Sequence, residues 1–267
     1  MRLHYLSPWW GHEHVPLDVF IQKITTAGYD GLDTWIPRND ADRRALRDAE
    51  ISLVLHQHEA EGATFVEFAR AFGQRLMDCA RWRPLLINSH TGRDHFSMAE
   101  LLTLIDIAQE VTDRTGVEIA HETHRGRMGY APQAMQPLFD QRPGLHITAD
   151  FSHWVCVTES LLDNFKPTVA EAILRTRHIH ARVGFEEGPQ VDDPAAPEWR
   201  YALEAHLRWW DAIIRHNAVK TITTEFGPPP YMRGQKDQFA QNLFMLQLLK
   251  DRYGQEISET TNKISLS

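Results

Sequence analysis

A regular alternation between two kinds of segment limits the fold of this chain more than any other feature of its sequence. Short runs rich in β-branched and aromatic residues predict eight strands, separated by longer stretches whose apolar residues mostly recur at helical spacing. The predicted strands are residues 2–6, 29–35, 51–57, 84–90, 116–122, 145–150, 177–182 and 218–225. The predicted helices include residues 15–27, 64–80, 98–115, 158–174, 201–216 and 235–252. Strand ends follow one another at roughly the 30-residue length of a βα unit, so we predict one series of such units.

Eight parallel strands in a chain of 267 residues indicate a (β/α)8 barrel, an α/β fold, formed by residues 1–253 as a single domain. A doubly wound sheet usually has fewer strands at less even spacing. The interval before the last strand is the longest, and its residues 184–200 are rich in glycine, proline and acids, which predicts a loop on the active face. Residues 254–267 are polar and predict a C-terminal tail.

The overall charge and the cysteine content disfavour several functional classes. Asp and Glu number 36 against 28 Lys and Arg, a net charge of −8, whereas a non-specific nucleic-acid binder needs positive charge to neutralise phosphates. The two cysteines, Cys79 and Cys156, are too few for a disulfide framework. No apolar run approaches the roughly 20 residues that cross a bilayer, and the N-terminus lacks the apolar core of a signal peptide. We therefore expect a cytoplasmic protein that binds neither nucleic acid nor membranes.

Polar residues of only a few types lie at the carboxyl ends of the later predicted strands. They are His90, Glu122, Asp150, His180 with Arg182 two residues later, and Glu225. In a (β/α)8 barrel these ends meet at one mouth, where three carboxylates raise one another's pKa unless a cation compensates. We therefore predict one bound divalent metal ion, with Glu122, Asp150, His180 and Glu225 as its ligands. A set dominated by carboxylates favours Mn²⁺, with Mg²⁺, Co²⁺ or Zn²⁺ as alternatives; the competing interpretation is that these side chains merely contact solvent.

The same residues lie in short motifs that resemble the xylose-isomerase-like barrel superfamily, in particular its sugar phosphate isomerase/epimerase and ketose 3-epimerase branch. The motifs are Glu122 in AHETHRG, Asp150 and His153 in ADFSHW, His180 in HIHARVG and Glu225 in TTEFGPP, and GYDGLDTW is similar to the family's second strand. The resemblance spans nearly the whole chain from the second strand to the eighth. It implies a single divalent ion held by the four predicted ligands, and catalytic roles for Glu122 and Glu225 on a sugar or a related carbonyl compound.

The implied activity has a chemical rationale. A proton next to a carbonyl is removed slowly in water because the resulting enediolate is poorly stabilised, and a divalent ion supplies the missing charge stabilisation. If Glu122 and Glu225 lie on opposite sides of the substrate, one removes a proton and the other returns one from the far face, which is epimerisation. If one base carries the proton between adjacent carbons, the result is isomerisation of an aldose to a ketose. The sequence leaves both open, and also leaves open whether the substrate is phosphorylated.

Three polar residues near the strand ends are predicted to contact the substrate. In the resembling family the histidine of DxxH binds substrate oxygens or water beside the metal, although His153 could instead serve only to orient Asp150. Arg182 is expected at the rim, where it either holds an anionic substrate oxygen, with Arg125 as a second candidate, or pairs with an acid of the following loop, Glu186 or Glu187. His90 resembles a fourth-strand histidine that helps to hold additional metal ions in the endonuclease branch of the superfamily.

Two tryptophans are also predicted substrate contacts, because aromatic walls exclude water and present flat faces to sugar C–H groups. These are Trp10 after the first strand and Trp154 after the sixth, each with a packing role in the core as the alternative. Two other strand histidines are assigned structural roles. His56 and His58 share one face of the third strand, where one of them could line the cavity, although a packing role is favoured for His56; His178 is predicted to be buried and hydrogen-bonded.

Three other functions remain as alternatives. A dehydratase could use the same barrel and metal, because loss of a β-hydroxyl proceeds through the same chemistry. A phosphodiesterase similar to endonuclease IV is less favoured, since it needs an Asp-x-His after strand seven, where this chain has QVDDPAAPEW with Asp192 and Asp193 but no histidine. A non-catalytic binding protein is the third. A homo-oligomer is left open by analogy with barrels whose exposed helices associate.

Overall fold

The computed structural model describes residues 2–217, 219–232 and 237–254 of the chain. Eight parallel strands form a closed barrel in which each strand pairs with its neighbours in sequence and the first pairs with the last. The strands are His4–Pro8 (β1), Gly31–Thr34 (β2), Ser52–Gln57 (β3), Leu86–Ser89 (β4), Ile119–Glu122 (β5), Ile147–Ala149 (β6), Thr176–His180 (β7) and Thr221–Thr223 (β8). The predicted (β/α)8 barrel is therefore confirmed. Each strand overlaps its predicted range and most are shorter; residue 218, at the start of the eighth prediction, lies outside the described residues.

Helices surround the barrel, one or two after each strand. Those in the described residues are Leu17–Thr26 (α1), Asp40–Asp48 (α2), Phe65–Ala80 (α3), Met98–Thr115 (α4), Pro132–Gln141 (α5), Phe151–Thr158 (α6), Lys166–Arg175 (α7), Arg200–His216 (α8) and Gln238–Tyr253 (α9). The start of α3 is fixed by a capping box, in which Thr64 and Glu67 satisfy each other's free backbone N–H groups, and Ser97 and Glu100 do the same for α4. No helix in the described part of the chain is both long and apolar enough to cross a membrane.

The helix predicted over residues 158–174 is confirmed only in its second half, which lies in α7, and its predicted start is wrong. The chain instead enters α6 directly after β6, because the Asp150 side chain accepts a hydrogen bond from the Ser152 backbone N–H and caps the helix. Left-handed backbone at Glu159 (φ 47°) and Leu162 (φ 64°) then ends α6 and separates it from α7. Helices α2 and α5 were not predicted. Only Leu46 of α2 is buried, so α2 has little apolar signal; α5 buries Met135, Leu138 and Phe139 at helical spacing, but its internal Pro137 is typical of a helix break.

The barrel interior changes from apolar to polar along the strands. Leu6, Val54, Leu86 and Ala120, from four different strands, form a separate apolar cluster inside the barrel. The polar side chains that follow on β4, β5 and β7 lie nearer the carboxyl ends of the strands. Residues 184–200 pack at this same end, where the Gln190 side chain both accepts a hydrogen bond from and donates one to the Gly227 backbone beyond β8, at 2.8 and 3.2 Å. Of the predicted tail, residues 255–267 lie outside the described residues.

Candidate metal centre

Four side chains from the carboxyl ends of β5 to β8 converge at one point inside the barrel mouth. Glu122 ends β5, Asp150 follows β6, His180 ends β7 and Glu225 follows β8. Each contributes a donor atom, and these four atoms all lie within 4.8 Å of one another. All four residues are buried, and Glu225, at 9% exposure, is the one most open to the mouth. The structure thus brings together the four residues predicted as metal ligands.

Three of the atoms that could bind a metal ion are buried without a hydrogen-bond partner, namely Oε1 of Glu122, Nδ1 of His180 and Oε2 of Glu225. The imidazole Nδ1 is 2.8 Å from the Glu225 oxygen and 3.7 Å from the Glu122 oxygen, but the groups are not aligned as hydrogen bonds. An unsatisfied buried polar atom costs about 1–3 kcal/mol. Three such atoms directed at one region fit a bound cation, and the oxygen-rich donor set suits a hard divalent ion.

Burial and mutual charge shift the pKa values of the cluster strongly. Burial together with the carboxylates of Glu225 and Glu122 raises the pKa of Asp150 to about 7, despite the opposing charge of Arg182. Burial alone would lower the pKa of His180, but the carboxylates of Glu225 and Glu122 outweigh it and hold that pKa well above its ordinary value. A buried site with three carboxylates therefore cannot easily hold all three charges without additional positive charge.

Arg182 supplies part of that positive charge from within the cavity. Its side chain is 3% exposed, forms an ion pair with Asp150, and lies 3.6 Å from Oε2 of Glu225. The guanidinium also donates to Oγ of Ser152 and to Nε2 of His153. Of the two predicted alternatives, pairing with Glu186 or Glu187 is thus wrong, because Arg182 pairs with Asp150, and its burial places it inside the barrel mouth rather than at the rim.

A second group of possible ligands shares Glu122 with the first. His56, His90 and Glu122 could together hold an ion. The distances from Oε2 of Glu122 are 3.1 Å to Nε2 of His90 and 3.6 Å to Nε2 of His56, and both nitrogens lack a hydrogen-bond partner. A packing role alone therefore does not describe His56, because its Nε2 lies close to the Glu122 carboxylate. The Asn88 amide, which sequence reasoning did not single out, donates a 2.6 Å hydrogen bond to the same oxygen.

His90 belongs to a row of imidazole rings that crosses the mouth. Its ring centroid is 4.3 Å from that of His56 and 4.2 Å from that of His124, which is 3.9 Å from that of His153. Burial lowers the pKa of His90, His124 and His153, so these three rings are neutral near pH 7. Neutral imidazoles can both donate and accept hydrogen bonds, so the row offers a polar, uncharged wall.

The two tryptophans predicted to contact substrate lie in different environments. Trp10 is half-buried, and its ring meets that of Tyr231 edge-on, with the ring centroids 5.2 Å apart. The Tyr231 hydroxyl in turn accepts a hydrogen bond from Arg125. Trp154 is 0% exposed, stacks on Phe151 and donates its indole N–H to the Gly129 carbonyl at 2.8 Å. Trp154 is therefore packed in the hydrophobic core.

Asp33 on β2 was also not identified from the sequence. Its Oδ2 lies 3.1 Å from Nε2 of His180 and 3.3 Å from Nε2 of His178. His178 is fully buried and hydrogen-bonded to Thr221, as predicted. The only sequence signal for Asp33 is an acid near the end of a predicted strand, in the segment GYDGLDTW.

Comparison with known proteins shows that this chain is similar in fold to several solved structures. No protein-family model matches this chain, and no curated protein matches it. Among solved structures, the probable 3-DHS dehydratase AsbF from Bacillus anthracis is 16% identical with a TM-score of 0.60, over 92% of this chain and 99% of that one. A xylose isomerase-like TIM barrel protein from Mycobacterium smegmatis in complex with magnesium is 12% identical with a TM-score of 0.60, over 93% of this chain and 97% of that one. Endonuclease IV from Thermus thermophilus is 13% identical with a TM-score of 0.59, over 93% of this chain and 99% of that one.

The chain thus has the fold of the xylose-isomerase-like barrels, which confirms the resemblance noted in its sequence. Identities this low show the fold alone. The three proteins carry different names, a dehydratase, an isomerase-like protein and an endonuclease. The function of this chain must therefore be argued from its own site.

Metal binding at this cluster is expected to strengthen as the pH rises from about 6 to about 8. The pKa of Asp150 is raised to about 7, so a proton competes with a cation over the lower half of that range. The folded metal-free protein binds this proton more tightly than the unfolded chain, whose Asp pKa is about 3.9. Ionising Asp150 therefore costs the folded state stability as the pH rises from about 4 to about 7, and a bound cation offsets that cost.

Thermal unfolding with Mn²⁺ or with EDTA, at pH values from 6 to 8, measures this effect. The rise in Tm on adding Mn²⁺ should be larger at pH 8 than at pH 6. Asp140→Asn, which alters an exposed aspartate on α5, should behave as the wild type. A metal-induced rise that is the same at every pH would contradict a raised pKa at Asp150.

Proposed function

We propose that this chain is a divalent-metal-dependent isomerase or epimerase of a sugar or a related hydroxy-carbonyl compound. The observation that supports this most is the position of two glutamates, Glu122 and Glu225, which both lie near Nδ1 of His180, at 3.7 and 2.8 Å. Each has a buried oxygen without a hydrogen-bond partner in the same small cavity. Two carboxylate bases next to one cation suit the removal of a proton adjacent to a carbonyl and its return to the same or the neighbouring carbon.

The two glutamates are held differently, which suggests different roles. Oε2 of Glu122 accepts the Asn88 hydrogen bond and is 3.1 Å from His90, so only its other oxygen is free to act. Glu225 has no such amide partner in the described residues and is the most exposed member of the cluster. We assign Glu225 as the base that a substrate entering through the mouth meets first, and Glu122 as the base deeper in the cavity.

His153 and Arg182 are positioned to bind substrate oxygens or to support the groups that do. Because Arg182 donates to Nε2 of His153, a neutral His153 carries its proton on Nδ1. That nitrogen is buried and has no partner, so it can donate a hydrogen bond to a substrate hydroxyl or carbonyl oxygen. Arg182 itself is occupied by Asp150, and we assign it to balancing charge rather than to holding a phosphate.

The four-residue cluster would hold the metal ion. When bound, a divalent ion supplies positive charge that stabilises the negative charge developing on the substrate oxygens as the proton leaves. Three carboxylates and one imidazole suit Mn²⁺ first, with Mg²⁺, Co²⁺ or Zn²⁺ as alternatives. The magnesium in the M. smegmatis structure supports an ion of this hard class.

Proton exchange in deuterated water tests this proposal. Protein loaded with Mn²⁺ is incubated with a panel of ketoses and aldoses, and ¹H NMR follows the proton next to the carbonyl. We expect its signal to disappear for at least one sugar while an epimer or isomer forms, and EDTA to stop the reaction. A product that has lost water would identify a dehydratase instead. A protein that binds no divalent ion, as purified or after loading, would contradict the proposal.

A two-metal phosphodiesterase is a second candidate, and the group of His56, His90 and Glu122 favours it. Glu122 belongs to both groups of possible ligands, as a carboxylate shared by two ions would. Against it stand the net charge of −8 and the absence of a histidine from residues 190–199. Elemental analysis separates the two candidates, since an isomerase of the proposed kind needs one ion per chain and this hydrolase needs at least two. Cleavage of DNA at an abasic site would favour the hydrolase.

A further inference from the structure

Asp33 lies behind the metal centre and contributes no atom to the four-residue cluster. Its Oδ2 is 3.1 Å from Nε2 of His180 and accepts a 2.9 Å hydrogen bond from the Thr223 hydroxyl. The other imidazole nitrogen, Nδ1, faces Glu122 and Glu225 on the opposite side of the ring. Asp33 therefore touches His180 on the side away from the ion site, from a strand that lies across the barrel.

This contact determines which nitrogen of His180 carries a proton. A carboxylate oxygen only accepts hydrogen bonds, so the contact with Asp33 requires a proton on Nε2. When a cation displaces the proton from Nδ1, the neutral imidazole keeps its one N–H on Nε2, and its lone pair on Nδ1 is directed at the cluster. A metal-ligating histidine requires this arrangement, and a carboxylate on its other nitrogen both fixes the ring and makes it a stronger ligand. The Asn88 amide is also near Nε2, but at 3.4 Å it is the longer contact and it already donates to Glu122.

Asp33 is itself held in place from two sides. The Thr223 hydroxyl donates to it, and His178 packs beside it with Nε2 3.3 Å from the same oxygen. His178 cannot rotate freely, because its Nδ1 lies within hydrogen-bond distance of both the carbonyl oxygen and the hydroxyl oxygen of Thr221, at 3.1 and 2.8 Å. All three residues are buried, with Asp33 at 6% exposure. The carboxylate is therefore a fixed support for the ring of His180.

We propose that Asp33 is a positioning residue of the metal centre, which holds His180 as the Nε2–H tautomer and directs Nδ1 at the ion. This inference rests on the metal centre proposed above. It gives Asp33 no contact with substrate and no proton to transfer. Its expected effect is on the affinity for the ion and on the protonation pattern of one imidazole.

Asp33→Asn is expected to lower the affinity for Mn²⁺ by about 10- to 100-fold, the usual loss when a partner of a metal-bound histidine is removed. Competition with a fluorescent metal indicator measures the affinity, and urea unfolding in EDTA shows whether the variant is folded. The matched control is Asp30→Asn, which removes a carboxylate just before the start of the same strand, where it pairs with Arg2 and the Tyr5 backbone N–H. Asp30→Asn should bind Mn²⁺ as the wild type does. Wild-type affinity in a folded Asp33→Asn would overturn the inference.

The wild-type protein provides a test that needs no Asp33 variant. In ¹⁵N NMR spectra of protein loaded with Zn²⁺ or Mg²⁺, the His180 signals are assigned by their absence in His180→Gln. We expect Nε2 to carry a proton and Nδ1 to carry none; a proton on Nδ1 would overturn the inference even if Asp33→Asn does not fold. If wild-type protein binds no divalent ion in the indicator assay, the metal centre itself is refuted, which is a different result from a centre that binds normally without Asp33.

Discussion

Replacing Glu225 by glutamine is expected to reduce metal-dependent proton exchange by about 10²- to 10⁴-fold, the usual contribution of a positioned general base. The amide keeps the size of the side chain and one oxygen, but it cannot accept a proton from carbon near neutral pH. Burial would raise the pKa of Glu225, yet His180 and Arg182 outweigh it and hold that pKa below its ordinary value. The carboxylate is therefore ionised, and available as a base, over the whole range near pH 7.

The loss in Glu225→Gln must be separated from simple loss of the metal, because the same side chain is a predicted ligand. Exchange rates are therefore compared at Mn²⁺ concentrations that saturate each protein. The matched control is Glu187→Gln, an exposed glutamate on the loop after β7, which should retain wild-type exchange. If Glu225→Gln at saturating Mn²⁺ exchanges the substrate proton as fast as the wild type, Glu225 is not the base.

Replacing Arg182 by methionine is expected to destabilise the metal-free protein by about 3–5 kcal/mol, the usual cost of removing one partner from a buried ion pair. Methionine retains most of the side-chain length, so the main loss is the positive charge between Asp150 and Glu225. The cost should be larger at pH 8 than at pH 6, because protonation of Asp150 relieves it at the lower pH. Mn²⁺ should restore part of the lost stability by supplying positive charge to the same carboxylates.

Urea unfolding in EDTA and in Mn²⁺ measures this prediction. Arg177→Met is the matched control, since Arg177 lies on β7, the strand that precedes Arg182, but is partly exposed and pairs with Glu118 at 3.2 Å. A pair of that kind is worth about 0–1 kcal/mol, and Mn²⁺ should not affect it. Equal losses in the two variants would show that Arg182 does not balance the charge of the cluster.

The sequence by itself determined the barrel and the four converging side chains that we propose as ligands. Strand periodicity is local, and eight strands at nearly even spacing have few closed arrangements other than a (β/α)8 barrel. Once the strands are parallel, their carboxyl ends must share one mouth, so Glu122, Asp150, His180 and Glu225 could be grouped without knowing any distance. The boundaries around α6 could not be obtained in this way, because the N-cap at Asp150 and two left-handed residues decide them.

Only the tertiary structure decided what surrounds those ligands. Asp33 reaches His180 across the interior, His56 lies beside Glu122, and Arg182 points inward rather than toward the acidic loop. These contacts join strands that are far apart in the sequence, and they depend on how the closed barrel tilts and staggers its strands. A pattern with a period of two residues tells which face a side chain lies on, but it carries no information about the side chain it meets across the barrel.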